Sequence, residues 1–274
     1  MNMKPPLIRA VFLFLSMHNN NPIGLFDSGI GGTSIWKEIH QLLPGEDTIY
    51  LADSKNAPYG EKSKEAITAL SRKNTEFLLG KNCKLIVVAC NTATTNAIKE
   101  LRAEYDVPFI GIEPAIKPAA WNSKTHTIGV LATKGTLSSE LFNRTVESYR
   151  DTTIIEQIGY GLVQLIENGM IESGEVDQLL KKYLAPMIEQ NIDHLVLGCS
   201  HYPYLIPKIR TILPDSITII DSGEAVARQT KNVLADIVGF SDHPIGNPLF
   251  YTNSSPQVLE KILEYRFKVI QSDF

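Results

Sequence analysis

Short apolar runs alternate with longer amphipathic stretches from residue 22 to the end of the chain. Runs at 23–26, 48–51, 85–89, 109–112, 127–131, 153–155, 194–197, 217–220 and 249–251 predict β-strands. The stretches 33–42, 63–80, 92–104, 136–149, 173–190, 203–212 and 222–238 predict helices. Strands that alternate with helices imply an α/β fold with mainly parallel sheets and right-handed crossovers. Runs such as Leu85-Ile86-Val87-Val88 are apolar at every position. That pattern suits a strand covered on both faces.

A weak internal repeat runs through this pattern. Ile23-Gly24-Leu25-Phe26-Asp27-Ser28-Gly29 resembles Ile128-Gly129-Val130-Leu131-Ala132-Thr133-Lys134-Gly135. Each segment is a strand that ends in a small polar turn, and each is followed by a later strand that ends in cysteine. Leu85-Ile86-Val87-Val88-Ala89 leads into Cys90-Asn91-Thr92, and Leu195-Val196-Leu197-Gly198 leads into Cys199-Ser200-His201. Ligands of open α/β sheets bind at the carboxyl ends of strands. Two such units facing each other would place both turns and both thiols around one cleft. Two acid/base groups there could take a proton from one face of a carbon and return one to the other.

Composition narrows the classes. The chain has 274 residues, enough for a large core and two domains. With a net charge of −4 and no basic stripe, nucleic acid is not the expected partner. The three cysteines, Cys83, Cys90 and Cys199, form no CxxC pair and no disulfide framework, which fits a reducing cytoplasm. Near the N-terminus, residues 10–15 are apolar after Lys4 and Arg9, but the run is too short to span a bilayer and no cleavage site follows. Residues 1–21 are read as an extension, or translation starts at Met17. No membrane association is expected.

Each motif has a functional and a structural reading. A thiol at Cys90, at the start of a helix, is expected to have a lowered pKa; the alternative is a buried structural cysteine before an ordinary cap. His201, two residues from Cys199, could shuttle its proton. Cys83 has no polar companions and reads as core. Asp27-Ser28-Gly29-Ile30-Gly31-Gly32-Thr33-Ser34 is glycine-rich but is neither a P-loop nor a dinucleotide fingerprint, and Asp27 would repel a phosphate. It reads either as a capped turn or as a carboxylate beside a thiol. Ala57-Pro58-Tyr59-Gly60-Glu61 is a turn by composition, a surface loop unless Tyr59 lines a pocket mouth. Glu167 lies near a predicted helix C-terminus, where an acid opposes the helix dipole, so either it is a solvated charge or another contact keeps it there. Cys90, Cys199, His201 and Asp27 are also residue types that zinc accepts, but the usual paired spacing is missing.

Taken together, Asp27-Ser28-Gly29, Pro58-Tyr59-Gly60, Cys90-Asn91-Thr92-Ala93, Gly111-Ile112-Glu113-Pro114-Ala115, Glu167, Gly198-Cys199-Ser200-His201 and Asp221-Ser222-Gly223-Glu224 resemble the cofactor-independent aspartate/glutamate racemase superfamily, and within it the glutamate racemases. The resemblance covers about residues 22 to 270. Ser200 departs from the family's usual threonine but keeps the hydroxyl. The resemblance implies two pseudo-symmetric three-layer α/β domains with the active site in the cleft between them. Domain A would comprise 22–114 plus 224–274 and carry Cys90; domain B would comprise 115–223 and carry Cys199. It further implies interconversion of L- and D-glutamate for peptidoglycan synthesis without pyridoxal phosphate or metal, commonly by a homodimer. In the implied roles Cys90 deprotonates D-glutamate with help from Asp27, and Cys199 deprotonates L-glutamate with help from Glu167 and His201. Ser28, Asn91, Thr92, Thr133 and Ser200 would donate to substrate, and Pro58, Tyr59 and Gly60 would shape the pocket. Three competing readings are a racemase for aspartate or another small acid, a non-catalytic two-lobed binding protein, and a thiol redox protein.

Overall fold

A computed structural model describes residues 19–274. The extension expected at residues 1–21, with its apolar run and the alternative start at Met17, lies outside the described residues up to position 18. The strands are β1 (Ile23–Asp27), β2 (Thr48–Ala52), β3 (Leu85–Val88), β4 (Phe109–Gly111), β5 (Thr127–Ala132), β6 (Thr153–Ile158), β7 (His194–Gly198), β8 (Thr218–Ile220), β9 (Pro248–Thr252) and β10 (Val269–Gln271). The helices are α1 (Thr33–Leu42), α2 (Lys64–Gly80), α3 (Asn91–Glu104), α4 (Ile116–Asn122), α5 (Lys134–Leu137), α6 (Glu140–Glu147), α7 (Leu162–Glu167), α8 (Gly174–Glu189), α9 (Ile206–Arg210), α10 (Gly223–Val233) and α11 (Gln257–Ile262).

The strands form two sheets, ordered β10-β9-β2-β1-β3-β4 and β6-β5-β7-β8, and every pairing is parallel. The fold is α/β, as the alternation of the sequence requires. The repeat also becomes topology. In the first sheet β1 lies between β2 and β3 with β4 outermost; in the second β5 lies between β6 and β7 with β8 outermost. Each sheet therefore reverses direction next to the strand that leads to its cysteine, and such a switch point is where open α/β sheets bind ligands. The central strands β1, β2, β3 and β7 are buried at every residue, and the large apolar cluster around them takes Leu25 and Val87 from the first sheet and Leu195 and Leu197 from the second.

Helix α4 packs on β5 and β7, whereas α10 returns to pack on α1 and β4. Four elements escape the periodicity: α4, α7, α11 and β10. Each has seven residues or fewer, and α4 carries Pro118 inside it. So few turns give an amphipathic pattern no room to repeat. Three predicted helices are also broken. The 136–149 stretch divides where Ser139 caps α6 by accepting the Phe142 N–H at 3.2 Å. The 203–212 stretch is a 3-10 turn, Tyr202–Leu205, followed by the five residues of α9, with Pro203 and Pro207 at their starts. The 222–238 stretch ends as α10 and a π-helical turn, Leu234–Val238.

Away from the cleft, Lys84 and Glu46 form an ion pair of 2.7 Å whose side chains are only 1% and 3% exposed. Lys84 also donates to the carbonyls of Asn19 and Gly239, and Glu46 accepts the Ser241 N–H. The pair thus clamps residue 19 and the segment after α10 to the first sheet. Removing one partner leaves a buried charge alone. Lys84→Met is expected to lower the unfolding free energy by about 3–5 kcal/mol, measured by urea titration, and Lys84→Met/Glu46→Leu to lose less than the single variant.

Candidate active site

Cys90 sits just past β3, where it caps α3: its Sγ accepts the Ala93 N–H at 3.4 Å. Cys199 sits just past β7, but the helix expected after it is only the 3-10 turn, so its partner is a side chain. Its Sγ lies 3.9 Å from His201 Nδ1. The two thiols reach the same space. A cavity of about 10 Å³, room for roughly one water molecule, is lined by Ser28, Pro58, Tyr59, Gly60, Cys90, Asn91, Thr92, Thr133, Val163, Cys199, Ser200 and His201. It is smaller than the usual ligand pocket of roughly 300–1,000 Å³. The cysteines are only 3% and 6% exposed.

Hydrogen bonds from both sheets close this cavity. The Ser200 hydroxyl donates to Asp27 Oδ1 at 3.0 Å, and the Ser34 hydroxyl donates to the Ser200 carbonyl at 3.0 Å. Thr92 and Thr133 bond through their hydroxyls at 2.8 Å. Glu167 holds three partners: Oε1 accepts the Ile30 N–H at 2.7 Å and lies 2.6 Å from His201 Nε2, while Oε2 accepts the Ser54 hydroxyl at 2.8 Å. Its position at the end of α7, unfavourable against the helix dipole, is explained by these three bonds. The carboxylate is only 11% exposed, so it is no solvated surface charge.

The glycines of the first turn make room for this contact. A Cβ on Gly29 would overlap the Glu167 carboxylate, and one on Gly31 would overlap the His201 ring. The turn is therefore glycine-rich because two side chains of the opposite half lie directly against its backbone. Asp27 organises the same turn: Oδ2 accepts the N–H groups of Gly32 at 3.0 Å and Gly29 at 3.2 Å.

Electrostatics corrects one expectation. The helix N-terminus was expected to lower the Cys90 pKa, yet the thiol is pushed well above its ordinary value of 9.0. Burial is the main cause and the charge of Asp27 adds to it; the Ala93 N–H and contacts with Ser28 pull the other way and lose. Asp27 is itself raised by burial, against the opposing pull of His201 and the Gly32 N–H. For His201, burial works against the charged form, but the contacts with Cys199 and Glu167 and the charges of Asp27 and Glu167 outweigh it. The net shift is well above the usual histidine range. These contacts favour the imidazolium form of His201 beside Cys199, with Asp27 Oδ2 3.9 Å from Nδ1.

Of the residues singled out in the sequence, eleven line the cavity: Ser28, Pro58, Tyr59, Gly60, Cys90, Asn91, Thr92, Thr133, Cys199, Ser200 and His201. Asp27 and Glu167 stand behind them, bonded to Ser200 and His201. Both amide atoms of Asn91 are buried without a hydrogen-bond partner, an arrangement that calls for a ligand. Val163 and Ser54 were missed. Both are ordinary residue types in short elements, and only the meeting of the two halves gives them a place. Cys83 is buried away from the cavity, in the apolar cluster of the first sheet with Leu78 and Ile86. The zinc reading finds no support in grouping: among the described residues no three His, Cys, Asp or Glu side chains are placed to share a metal. Among the described residues, too, no helix is long and apolar enough to cross a membrane.

Residues 23–230 match the sequence model of the Asp/Glu/hydantoin racemases. The chain belongs to that family. Membership makes it a racemase, an isomerase. Glutamate racemase of Ralstonia pickettii is 49% identical over 78% of this chain and 76% of its own length. Among solved structures, glutamate racemase isoform RacE1 of Bacillus anthracis matches with a TM-score of 0.84 at 31% identity, covering 93% of this chain and 98% of its own. The Escherichia coli glutamate racemase, solved with L-glutamate and the activator UDP-MurNAc-Ala, matches with a TM-score of 0.81 at 32% identity, covering 92% and 97%.

Two predictions follow from the contacts of this racemase. Gly31→Ala displaces the His201 ring and is expected to cost about 100-fold in kcat/KM, as small misplacements of reacting groups do, measured by chiral assay with the melting temperature as a control. His201 also makes stability depend on pH. Its folded pKa lies above the unfolded value of 6.5, so its contribution is full below pH 6.5 and disappears as pH rises through the folded value. Urea unfolding from pH 6 upward should show wild type losing its advantage over His201→Gln as pH increases; a constant difference would contradict the assignment.

Proposed function

We propose that the protein is a glutamate racemase in which Cys90 and Cys199 act from opposite faces of the α-carbon. The observation that carries this reading is that two thiols, one from each sheet, line one small enclosed cavity. Domain A (22–114 and 224–274) carries Cys90 and domain B (115–223) carries Cys199, which puts the cavity at their junction. The glutamate racemases of Ralstonia pickettii and Bacillus anthracis match over most of their length, and in that role the D-glutamate formed would supply peptidoglycan synthesis.

The two bases work in different surroundings. Raised by burial and by Asp27, Cys90 begins as a thiol, the form that delivers a proton. In the direction from L-glutamate, Cys199, with His201 Nδ1 3.9 Å away, is assigned the part of the base that removes one. This state takes the α-proton of L-glutamate at Cys199 and protonates the opposite face from Cys90, leaving D-glutamate. The reverse reaction needs the opposite distribution of protons. An α-ammonium entering beside Asp27 brings positive charge to Cys90 and favours its thiolate. Glu167 holds His201 in register with Cys199, and Asp27 lies near Cys90 while taking the Ser200 hydroxyl.

A general base contributes roughly 10²–10⁴-fold and is too little alone for so weak a carbon acid. The carbanion needs donors aimed at the substrate carboxylate. The unpartnered amide of Asn91 and the hydroxyls of Ser28, Thr92 and Thr133 line the cavity for that task, while the Ser200 hydroxyl gives its proton to Asp27. Pro58, Tyr59 and Gly60 form its wall from the first half.

The decisive experiment is incubation with L-glutamate in heavy water, followed by chiral separation, with L-aspartate run in parallel. The expected result is D-glutamate carrying deuterium at the α-position, approaching an equal mixture of enantiomers. Absence of exchange would reject the reading, and faster turnover of aspartate would reassign the substrate. Cys90→Ser and Cys199→Ser should each lower racemisation by at least about 10²-fold while the melting temperature holds; near-native rates in both would rule out the two-thiol scheme.

A further inference from the structure

The mechanism leaves one buried carboxylate without a task. Asp53 directly follows β2, is 1% exposed, and is not among the residues that line the cavity. Its Oδ2 accepts the Tyr59 hydroxyl. Its Oδ1 accepts the amide of Asn56 at 2.7 Å and that of Asn253, from the end of β9. The donors are a phenol and two amides, so the charge is satisfied by hydrogen bonds alone, which a buried carboxylate requires. Asn253 extends the grip by accepting the Lys55 N–H at 2.9 Å through Oδ1.

These bonds tie down one loop. Residues 53–61 supply Pro58, Tyr59 and Gly60 to the cavity and Ser54 to Glu167. The loop holds only two 3-10 turns of three residues each, so it has little regular structure of its own. The Tyr59 hydroxyl is fully committed: its proton goes to Asp53, and it accepts from Asn74 Nδ2 at 3.1 Å. Tyr59 therefore offers the cavity its ring and backbone, not its hydroxyl.

We propose that Asp53 is a positioning residue for the racemase reaction, gripping Tyr59 and Asn253 so that the Pro58-Tyr59-Gly60 wall and Ser54 stay in register with the opposite half. The proposal rests on the reading of the cavity as the glutamate site. It requires a carboxylate at residue 53, because an asparagine there would turn an N–H₂ group toward donors.

The test is steady-state kinetics with L- and D-glutamate on Asp53→Asn, Tyr59→Phe and the double variant, with melting temperatures for each. Each single variant is expected to raise KM and lower kcat/KM by roughly 10-fold or more, in keeping with loss of a hydrogen bond to a buried charge. The double variant should be no worse than the worse single, because the Tyr59 hydroxyl acts only through Asp53. The exchange Asp53→Asn/Asn253→Asp should recover part of kcat/KM, since it restores a carboxylate to the same bond from the other end. Wild-type KM and kcat/KM in Asp53→Asn would overturn the proposal. So would a fall in kcat and melting temperature at unchanged KM, or fully additive losses in the double variant. If Asp53→Asn does not fold, Tyr59→Phe alone decides, and full activity there overturns it. A wild-type protein that fails to racemise glutamate would instead reject the underlying reading before any variant is compared.

Discussion

The Glu167 carboxylate is where the two halves meet. It takes a backbone N–H from the β1–α1 turn, a hydroxyl from the loop after β2, and the imidazole beside Cys199. A buried anion so placed needs all of its donors, since a carboxylate deprived of them in a dry interior is costly. The other features fall into line behind it. Gly29 and Gly31 lack side chains because Glu167 and His201 occupy that space. His201 is pushed toward its charged form because the groups around it outweigh its burial. The thiols come to one cavity because the turns that carry them are drawn together.

The environments of the thiols are unlike, although the two sheets share one strand order. Cys90 caps a fourteen-residue helix and faces a buried aspartate; Cys199 precedes a 3-10 turn and faces a histidine. A racemase converts mirror images into each other, so the interconversion has no overall free-energy change in either direction. The chain meets that demand with chemically different partners on the two sides: the repeat supplies the geometry, and the local residues set the protonation.

Much of this was legible in the sequence. Among the described residues the apolar runs located nine of ten strands, most plainly β1, β2, β3 and β7, because a strand buried on both faces leaves a continuous signature. The residues just past β1, β3, β5 and β7 announced a site, because polar side chains at the ends of apolar strands have few structural uses. What escaped depends on the meeting of distant segments. Val163 looks like any core valine, and Ser54 like any loop serine, until α7 lies across the loop after β2. The Cys90 pKa was misjudged for a related reason. A helix N-terminus can be read from neighbours in the chain, whereas the depth of burial and the approach of Asp27 arise only from packing.

The closed cavity has a kinetic meaning. Its walls come from both halves, and Ser200–Asp27, Thr92–Thr133 and Ser54–Glu167 bridge it. No ligand as large as an amino acid passes through such walls while those bridges hold, so every catalytic cycle contains a breathing motion that parts them and lets them re-form. Viscosity and temperature then act on the enzyme's throughput through the parting of these bridges as well as through proton abstraction, and tighter bridges slow the exit of product even where they sharpen the chemistry.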